Sequence, residues 1–265
     1  MTPFFEKLWA NYQSVTPKAE QIRNSLNLDD YEYFNDHVAF RTLNIKGHGI
    51  QFLAAPFIRE GYKQCGTYIF QQKKLNAIHL ESIVNPLLPK VFISEILIEE
   101  FSPDLQKTLT DCFNTVNSNK SDEDILTGGR TWDFEYSKFS QLSEESEYAA
   151  WIYAHGYRVN HFTIRVNSLK NKDISEVCDE LLKNGISLND SGGIIKGSEK
   201  IGLKQASTIA DNILLKCNTS GKEHPIPSCY VEFAERFEIE GKQYNGFVAK
   251  SANHIFESTN RKINQ

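Results

Sequence analysis

Two stretches of the chain repeat one pattern: DHVAFRT at residues 36–42 and NHFTIRV at residues 160–166. In each, a histidine is followed four positions later by an arginine, and most of the residues between them are β-branched or aromatic. Such residues favour strands, in which side chains alternate between two faces. Each histidine therefore shares a face with its arginine, while the large apolar residues between them face a core. The repetition predicts two equivalent strands, one in each half of the chain.

A third stretch, SCYVEFAERF, places Glu232 between apolar residues in a strand-like segment. A carboxylate is costly there unless a cation or a hydrogen-bond donor compensates it. With His37 and His161 it makes two imidazoles and one carboxylate, a ligand set that binds Fe(II) and leaves coordination positions open. Zinc or manganese could use the same ligands. On these residues alone the alternative also stays open, with structural histidines and with Glu232 paired to Arg165 or Arg236.

The composition limits the classes of protein and partner. With 265 residues and 40% hydrophobic content, the chain can bury the core of one large domain or of two modules sharing an interface. A net charge of −5 without a basic stripe argues against nucleic acid as a partner. No signal peptide and no apolar run of about 18 residues is visible, so no membrane partner is expected. Five scattered cysteines without a CxxC pair indicate reduced thiols in a cytoplasmic protein.

Local patterns predict the elements around these strands. Pairs of a capping residue and a proline predict helix starts at Thr2-Pro3, Thr16-Pro17 and Ser102-Pro103. The other patterns predict, in chain order, a strand at 91–101, a surface connection at 114–130, a helix at 143–156, a helix from Ile174 stopped by Gly185, and strands in GLKQASTIAD and NILLKC. Strands that cluster, rather than alternate with helices, indicate an α+β fold. We predict one catalytic domain, residues 1–265, with pseudo-repeated halves at about 30–128 and 150–260.

Five motifs in combination resemble one known family. NDHVAFRT, AHGYRVNHFTIRV, GLKQASTIAD, PSCYVEFAERF and the terminal HIFEST are similar to segments of the 2-oxoadipate dioxygenase/decarboxylase family, over roughly residues 30–260. That family is related to the vicinal oxygen chelate fold. The resemblance therefore implies two β-rich modules of this type, which form a shared, partly open barrel with flanking helices. The chain resembles the short form of the family, without the insertions of longer members.

The resemblance also implies roles for particular residues. His37, His161 and Glu232 would hold the metal, which would be Fe(II). Arg41 would bind a substrate carboxylate beside His37, because a guanidinium offers a planar, bidentate contact; its alternative role is a structural salt bridge. A looser match adds Lys250 and Ser251 at the substrate. From position alone, Arg165 would support the ligands or the strand, and Gln205 and Tyr230 would either orient a ligand or bound oxygen or be ordinary polar residues of their strands.

The implied activity is oxidative decarboxylation and hydroxylation of a 2-oxo diacid, in which 2-oxoadipate and dioxygen give 2-hydroxyglutarate and carbon dioxide. The substrate's own 2-oxo acid group can chelate the iron, so no separate 2-oxoglutarate is needed. Two alternatives remain: a metal-dependent hydrolase or glyoxalase-type isomerase on the same fold, and a non-catalytic binding module. The sequence does not define an oligomeric state. The other histidines are expected to be structural: His48, His79, His155, His224 and His254.

Overall fold

The computed structural model describes residues 3–28, 35–116 and 120–260, without the side chains of residues 122 and 123. Within these ranges the α-helices are α1 (Pro3–Gln13), α2 (Lys18–Ser25), α3 (Ile50–Arg59), α4 (Pro103–Phe113), α5 (Asp122–Gly128), α6 (Tyr136–Glu145), α7 (Glu147–His155), α8 (Ile174–Lys183) and α9 (Ala249–Ile255). No helix in the described ranges has both the length and the apolar character needed to cross a bilayer. Thr2, at the first predicted helix start, lies outside the described residues.

The strands form one large sheet and two short hairpins. They are β1 (Asn35–Leu43), β2 (Tyr62–Phe70), β3 (Leu75–Ser82), β4 (Lys90–Ile96), β5 (Val159–Arg165), β6 (Lys196–Ser198), β7 (Leu203–Ser207), β8 (Asn212–Lys216), β9 (Glu223–Pro227), β10 (Tyr230–Arg236), β11 (Glu238–Ile239) and β12 (Lys242–Gln243). Eight of them form the sheet, in the order β2-β3-β4-β1-β5-β10-β7-β6. The hairpins are β8-β9 and β11-β12.

The sheet has the same pairing on both sides of its centre. The central strands β1 and β5 are antiparallel to each other. Each then has a parallel neighbour, β4 beside β1 and β10 beside β5, followed by two antiparallel strands. A helix follows the central strand in each case, α3 after β1 and α8 after β5. The domain limits and the limits of the two halves stay predictions.

The two faces of the central strands have different neighbours. Phe40 of β1 packs against Phe57 of α3, with ring centroids 5.6 Å apart. Phe162 of β5 packs against Trp9 of α1 at 5.0 Å. These apolar residues face the covering helices, so the alternate positions, which include both histidines, face the other way. The period of two in the sequence therefore separates a packed face from a polar one.

The polar face is enclosed because the sheet curls around α9. This helix contacts β2 at one edge of the sheet and β6 and β7 at the other edge. Strands that are far apart in the sheet thus approach a common helix, which is the geometry of a partly open barrel. The predicted α+β class with flanking helices is confirmed.

Two predicted boundaries are wrong. The strand predicted at 91–101 ends at Ile96, because the chain then winds into a turn of 3-10 helix. Thr16 does not cap α2, because its hydroxyl donates to the carbonyl of Tyr12 and Pro17 already has helical backbone angles. By contrast, the predicted start of α4 and the strands β1, β5, β7, β8 and β10 are present.

Two predicted segments contain a helix boundary that their pattern did not reveal. The connection predicted at 114–130 contains α5, which Ser121 begins by accepting a hydrogen bond from a backbone N–H. The helix predicted at 143–156 is two helices that meet at Ser146, where the backbone is extended. The Ser146 side chain accepts from the N–H of Ala149 and so begins α7. Elements that were not predicted at all include α3, β2, β3, β6, β9 and α9.

Gly156 connects α7 to the second histidine strand. Its φ of 63° and ψ of −147° lie in a region that only glycine adopts readily. A Cβ atom there would lie 2.5 Å from the carbonyl oxygen of Gly129, which belongs to the backbone and cannot move aside. Backbone conformation and close approach therefore both require glycine.

We expect Gly156→Ala to lower the free energy of unfolding by about 2–4 kcal/mol, because strain and steric overlap add. Gly185→Ala is the matched control: it also has positive φ, but nothing lies within 4 Å of its added Cβ. That variant should lose only about 1 kcal/mol. Urea unfolding of both variants measures the difference, and equal losses would contradict the steric argument.

Candidate metal centre

Three side chains that are distant in sequence meet on the polar face of the sheet. His37 lies on β1, His161 on β5 and Glu232 on β10, and one ligand atom of each lies within 4.8 Å of the others. Their exposed fractions are 2%, 5% and 1%. We call these three residues the trio. The structure thus brings together the residues that the sequence proposed as ligands.

Within the trio, the imidazole Nε2 atoms face the carboxylate. His161 Nε2 lies 3.1 Å from Glu232 Oε2, and His37 Nε2 lies 3.7 Å from Glu232 Oε1. Two neighbours fix these groups: Thr163 Oγ1 lies 3.0 Å from His37 Nε2, and Gln205 Nε2 donates to Glu232 Oε1 at 2.6 Å. The three side chains are therefore held in place by the adjacent strands.

The other nitrogen of each imidazole is held by the residue that precedes it. Asp36 Oδ1 accepts from His37 Nδ1 at 2.8 Å, and Asn160 Oδ1 accepts from His161 Nδ1 at 3.0 Å. Because the Nδ1 proton is held in this way, Nε2 is the atom of each ring that faces the Glu232 carboxylate. A proton on Nε2 can bridge the two groups, and a cation can take the place of that proton. Metal-binding histidines commonly show this pattern.

A β-bulge makes each of these contacts between neighbours possible. Adjacent side chains of a regular strand point to opposite faces, so an Asp or Asn next to a histidine would normally point away from it. The β1-β5 pairing shifts at both places: Asp36 is an extra residue in β1, and Asn160 is an extra residue in β5. Bulges re-aim side chains in this way.

Asp36 is itself held by a buried arginine. Arg236 Nε and Nη2 donate to its two carboxylate oxygens at 2.6 and 2.8 Å. Burial alone would raise the pKa of Asp36, but the Arg236 charge and the His37 contact hold it well below its usual range. Arg236 Nη1 donates to the carbonyls of Tyr244 and Gly246. Arg236, Asp36 and His37 therefore form a buried, connected chain.

The electrostatics of the trio follow from its partners. Burial alone would raise the pKa of Glu232. The charge of His37 and the hydrogen bonds of both histidines outweigh burial and lower this pKa to about 2. Burial lowers the pKa of His161, and its hydrogen bond to Glu232 does not reverse that. For His37 burial also lowers the pKa, yet Glu232 and Asp36 raise it overall. The opposite directions agree with the partners at Nδ1, a carboxylate in one case and a neutral amide in the other.

Several buried polar atoms around the trio lack a protein partner within the described part of the chain. They include Gln205 Oε1, the Tyr230 hydroxyl and Asn160 Nδ2. The Tyr230 ring stacks on His161 with centroids 4.6 Å apart. Because buried polar atoms are normally satisfied, such atoms mark space suited to a ligand. Donor types, burial and unsatisfied neighbours all fit a bound metal with additional ligands.

The two halves differ at one equivalent position. Phe92 of β4 pairs with Ala39, two residues beyond the histidine of β1. Glu232 of β10 pairs with Thr163, two residues beyond the histidine of β5. An aromatic ring therefore stands in the first half where the second half supplies the carboxylate. The Phe92 ring packs against Phe247 at 5.0 Å.

Comparison with known proteins identifies the family of the chain. A family model described as 2-oxoadipate dioxygenase/decarboxylase matches residues 4–244. The chain belongs to the 2-oxoadipate dioxygenase/decarboxylase family. A relative from Arabidopsis thaliana, named 2-oxoadipate dioxygenase/decarboxylase, chloroplastic, is 37% identical over 291 residues, which cover 97% of this chain and 77% of the relative.

Two solved structures are similar in both sequence and fold. The hydroxyglutarate synthase of Oryza sativa, in complex with 2-oxoadipate, is 32% identical with a TM-score of 0.87, covering 98% of this chain and 91% of that chain. A protein of Shewanella frigidimarina NCIMB 400, provisionally described as a hydrolase, is 41% identical with a TM-score of 0.85, covering 93% and 96%. The vicinal-oxygen-chelate-like fold predicted from the family resemblance is confirmed.

Arg41, expected to bind substrate in this family, is buried next to other side chains. Its Nη1 donates to Glu147 Oε2 at 3.3 Å and its Nη2 to Thr259 Oγ1 at 3.0 Å. The guanidinium lies over the rings of Tyr148 and Trp151, 4.8 and 5.2 Å from their centroids. Its Nε has no partner among the described residues. The structure thus shows the salt bridge that was the alternative for this residue, and substrate binding stays a prediction.

A cavity of about 210 Å³ borders this arginine site. Its lining includes Glu147 and Thr259, both bound to Arg41, and also Trp151. No member of the trio lines it. Side chains that contact the guanidinium therefore also line this cavity.

The remaining predicted residues lie at different distances from the trio. Arg165 Nε lies 3.9 Å from Asp36 Oδ2, so it adds positive charge beside the buried carboxylate. Ser251 is buried on α9, but Lys250 is exposed, and the structure does not bring the Lys250 side chain to the trio. Phe247, just before α9, packs edge-on against His37 at 4.8 Å.

Sequence reasoning did not predict the roles of Asp36, Asn160, Thr163 and Phe247. For the first two a signal was present, since an acceptor precedes the histidine in both repeated stretches. Strand alternation argued against it, because neighbouring side chains should point apart. Only the bulges in the three-dimensional pairing resolve this conflict.

We expect Asp36→Ala to lower the free energy of unfolding by about 3–5 kcal/mol, because it leaves the buried Arg236 charge uncompensated. Lys107→Ala is the control, since it breaks the exposed pair with Asp111. Its free energy of unfolding should stay nearly unchanged. Urea unfolding compares the two variants, and a similarly small effect in both would refute a structural role for the Asp36–Arg236 pair.

Proposed function

We propose that this protein is an Fe(II)-dependent dioxygenase/decarboxylase that converts 2-oxoadipate and dioxygen into 2-hydroxyglutarate and carbon dioxide. The observation that carries the proposal is the buried trio, in which two imidazoles and one carboxylate converge. Family membership supports the reaction type. The rice relative supports the substrate, because its structure holds 2-oxoadipate.

His37, His161 and Glu232 would hold the iron. The chemistry that bound Fe(II) supplies is chelation of the 2-oxo acid group and activation of dioxygen. Asp36 and Asn160 keep both Nε2 atoms in the ligand form by accepting from Nδ1. Gln205 orients the carboxylate through Glu232 Oε1.

Apolar side chains limit water at the reacting group. The Phe247 ring covers His37 and the Tyr230 ring covers His161. Exclusion of water from such a site strengthens its electrostatic interactions and suppresses side reactions. The low exposure of the trio agrees with an enclosed reaction.

Arg41 would bind the far carboxylate of the diacid. It lies four residues after His37 in the same strand and on the same face. Its guanidinium is enclosed by aromatic rings and at present binds Glu147. A substrate carboxylate would take over donors that Glu147 and Thr259 now occupy, and it could also use the free Nε. This contact would select 2-oxo acids with a second carboxylate.

The central experiment adds 2-oxoadipate and oxygen to protein reconstituted anaerobically with Fe(II). We expect consumption of oxygen, release of carbon dioxide and formation of 2-hydroxyglutarate in equal amounts. With ¹⁸O₂, one label should enter the new carboxylate and one the hydroxyl group. No turnover with any of a series of 2-oxo acids, with iron shown to be bound, would refute the proposal.

The trio variants His37→Ala, His161→Ala and Glu232→Ala should lose both bound iron and turnover. His224→Ala is the control histidine, because its ring stacks on Tyr136 in a different part of the molecule. That variant should keep its iron. Metal analysis of untagged protein gives the result, and trio variants that retain iron would contradict the ligand assignment.

Arg41→Ala should lower kcat/KM for 2-oxoadipate by at least about 30-fold, because loss of a buried charge contact costs roughly 2 kcal/mol or more. A 2-oxo acid without the second carboxylate should be affected far less. Arg165→Ala is the matched control, since it stands four residues after His161 just as Arg41 follows His37. Equal losses for both substrates in Arg41→Ala would argue for a structural role only.

A hydrolase is the second candidate, because the Shewanella relative carries that provisional description. A hydrolase would use the same ligands for Zn²⁺ and a bound water, without oxygen consumption. An oxygen electrode separates the two candidates. A cytoplasmic location stays a prediction.

A further inference from the structure

A second group of metal-ligating side chains lies on the outer hairpin of the sheet. Cys65 of β2 and His79 and Glu81 of β3 each place one ligand atom within 4.8 Å of the others. We propose that these three residues form a second metal site, which takes a thiophilic divalent cation such as Zn²⁺ independently of the trio. A thiolate, an imidazole and a carboxylate are all ligands that Zn²⁺ uses in proteins.

The backbone is shaped to bring Cys65 to the two other ligands. His79 and Glu81 are two residues apart on β3 and so share a face. The β2-β3 pairing shifts between Gln64 and Gly66, which makes Cys65 the extra residue of a bulge. The bulge turns its thiol toward the other two ligands, as the bulges of β1 and β5 turn Asp36 and Asn160.

Gly66 makes room for the imidazole. A Cβ at Gly66 would lie 2.6 Å from His79 Nδ1 and 2.7 Å from the Tyr68 hydroxyl. Any other residue at position 66 would push the His79 ring away from its position. The glycine therefore lets His79 sit directly beside the bulge that carries Cys65.

The His79 ring is oriented as metal-binding histidines are. Its Nε2 faces Glu81 Oε1 at 3.0 Å, on the side of the cluster. Its Nδ1 lies 2.8 Å from the Tyr68 hydroxyl, which is itself fixed by the backbone N–H of Phe247. Because the hydroxyl can accept from Nδ1–H, it leaves the Nε2 lone pair free for a cation.

Exposure gives a cation access to the cluster. His79 is 2% exposed, whereas the Glu81 side chain is 28% exposed and Cys65 is exposed. The site therefore has a fixed, buried ligand and two ligands at the surface, with its open side toward water. Water can complete the coordination of Zn²⁺ at such a site.

The test uses the reactivity of Cys65 in the full chain, freed of metal. Cys65 is exposed and the other four cysteines are buried, so a maleimide should label Cys65 first, as peptide mapping can verify. At Zn²⁺ ten times above its dissociation constant, labelling of Cys65 should slow by about tenfold, because only the unbound fraction reacts. Mg²⁺ at the same concentration should give no protection.

Three variants make the result specific. His161→Ala removes a ligand of the trio and should keep the protection of Cys65. Glu81→Gln should lose most of the protection, while Glu223→Gln, an exposed strand carboxylate elsewhere, should keep it. Cys65→Ser should bind one Zn²⁺ fewer per chain than the natural sequence.

Unchanged labelling in the presence of Zn²⁺ would overturn the proposal. So would protection that disappears in His161→Ala, because the cation would then act from the trio. Neither outcome depends on turnover, so failure of this site and failure of the proposed reaction can be told apart.

Discussion

The antiparallel pairing of β1 with β5 is the constraint on which the site depends. It brings two histidines from opposite halves of the chain to one face, with ring centroids 5.6 Å apart. A shift of this pairing by one residue would turn one histidine toward the helices. The burial of β1 between two strands, with all nine residues buried, fixes the pairing in place. The core on one face therefore determines the chemistry on the other.

Charge in the interior is organised around that pairing. Isolated buried ions are unstable, and ion pairs are tolerated only when their remaining hydrogen bonds are satisfied. Arg236 meets this condition, because it contacts both oxygens of Asp36 and two backbone carbonyls. Glu232 meets it through Gln205 and the two histidines. Stability and ligand geometry are thus supplied by the same contacts, which explains why polar residues are concentrated in these few strands.

The sequence predicted the three residues of the trio and their strands, but few of the contacts and elements around them. Alternation identified the strands of His37, His161 and Glu232, because a buried strand with a polar face has a clear period of two. It could not predict that Asp36 and Asn160 contact the following histidines, since bulges arise from pairing between distant strands. Nor could it connect Cys65 with His79, which lie on different strands that were not recognised. Arg236, one of the two arginines considered as partners of Glu232, pairs with Asp36 instead. Which carboxylate it contacts depends on distances in the folded chain.

Phe92 and Glu232, which occupy equivalent positions in the two halves, affect how a bound molecule can be oriented. The scaffold is nearly twofold, and a symmetric pocket would accept a small molecule in two orientations related by rotation. With an aromatic wall on one side and a carboxylate on the other, those two orientations are no longer equivalent. A flat, prochiral compound held there presents one of its faces to a defined direction. Divergence at this position between two similar halves therefore removes the equivalence of the two orientations.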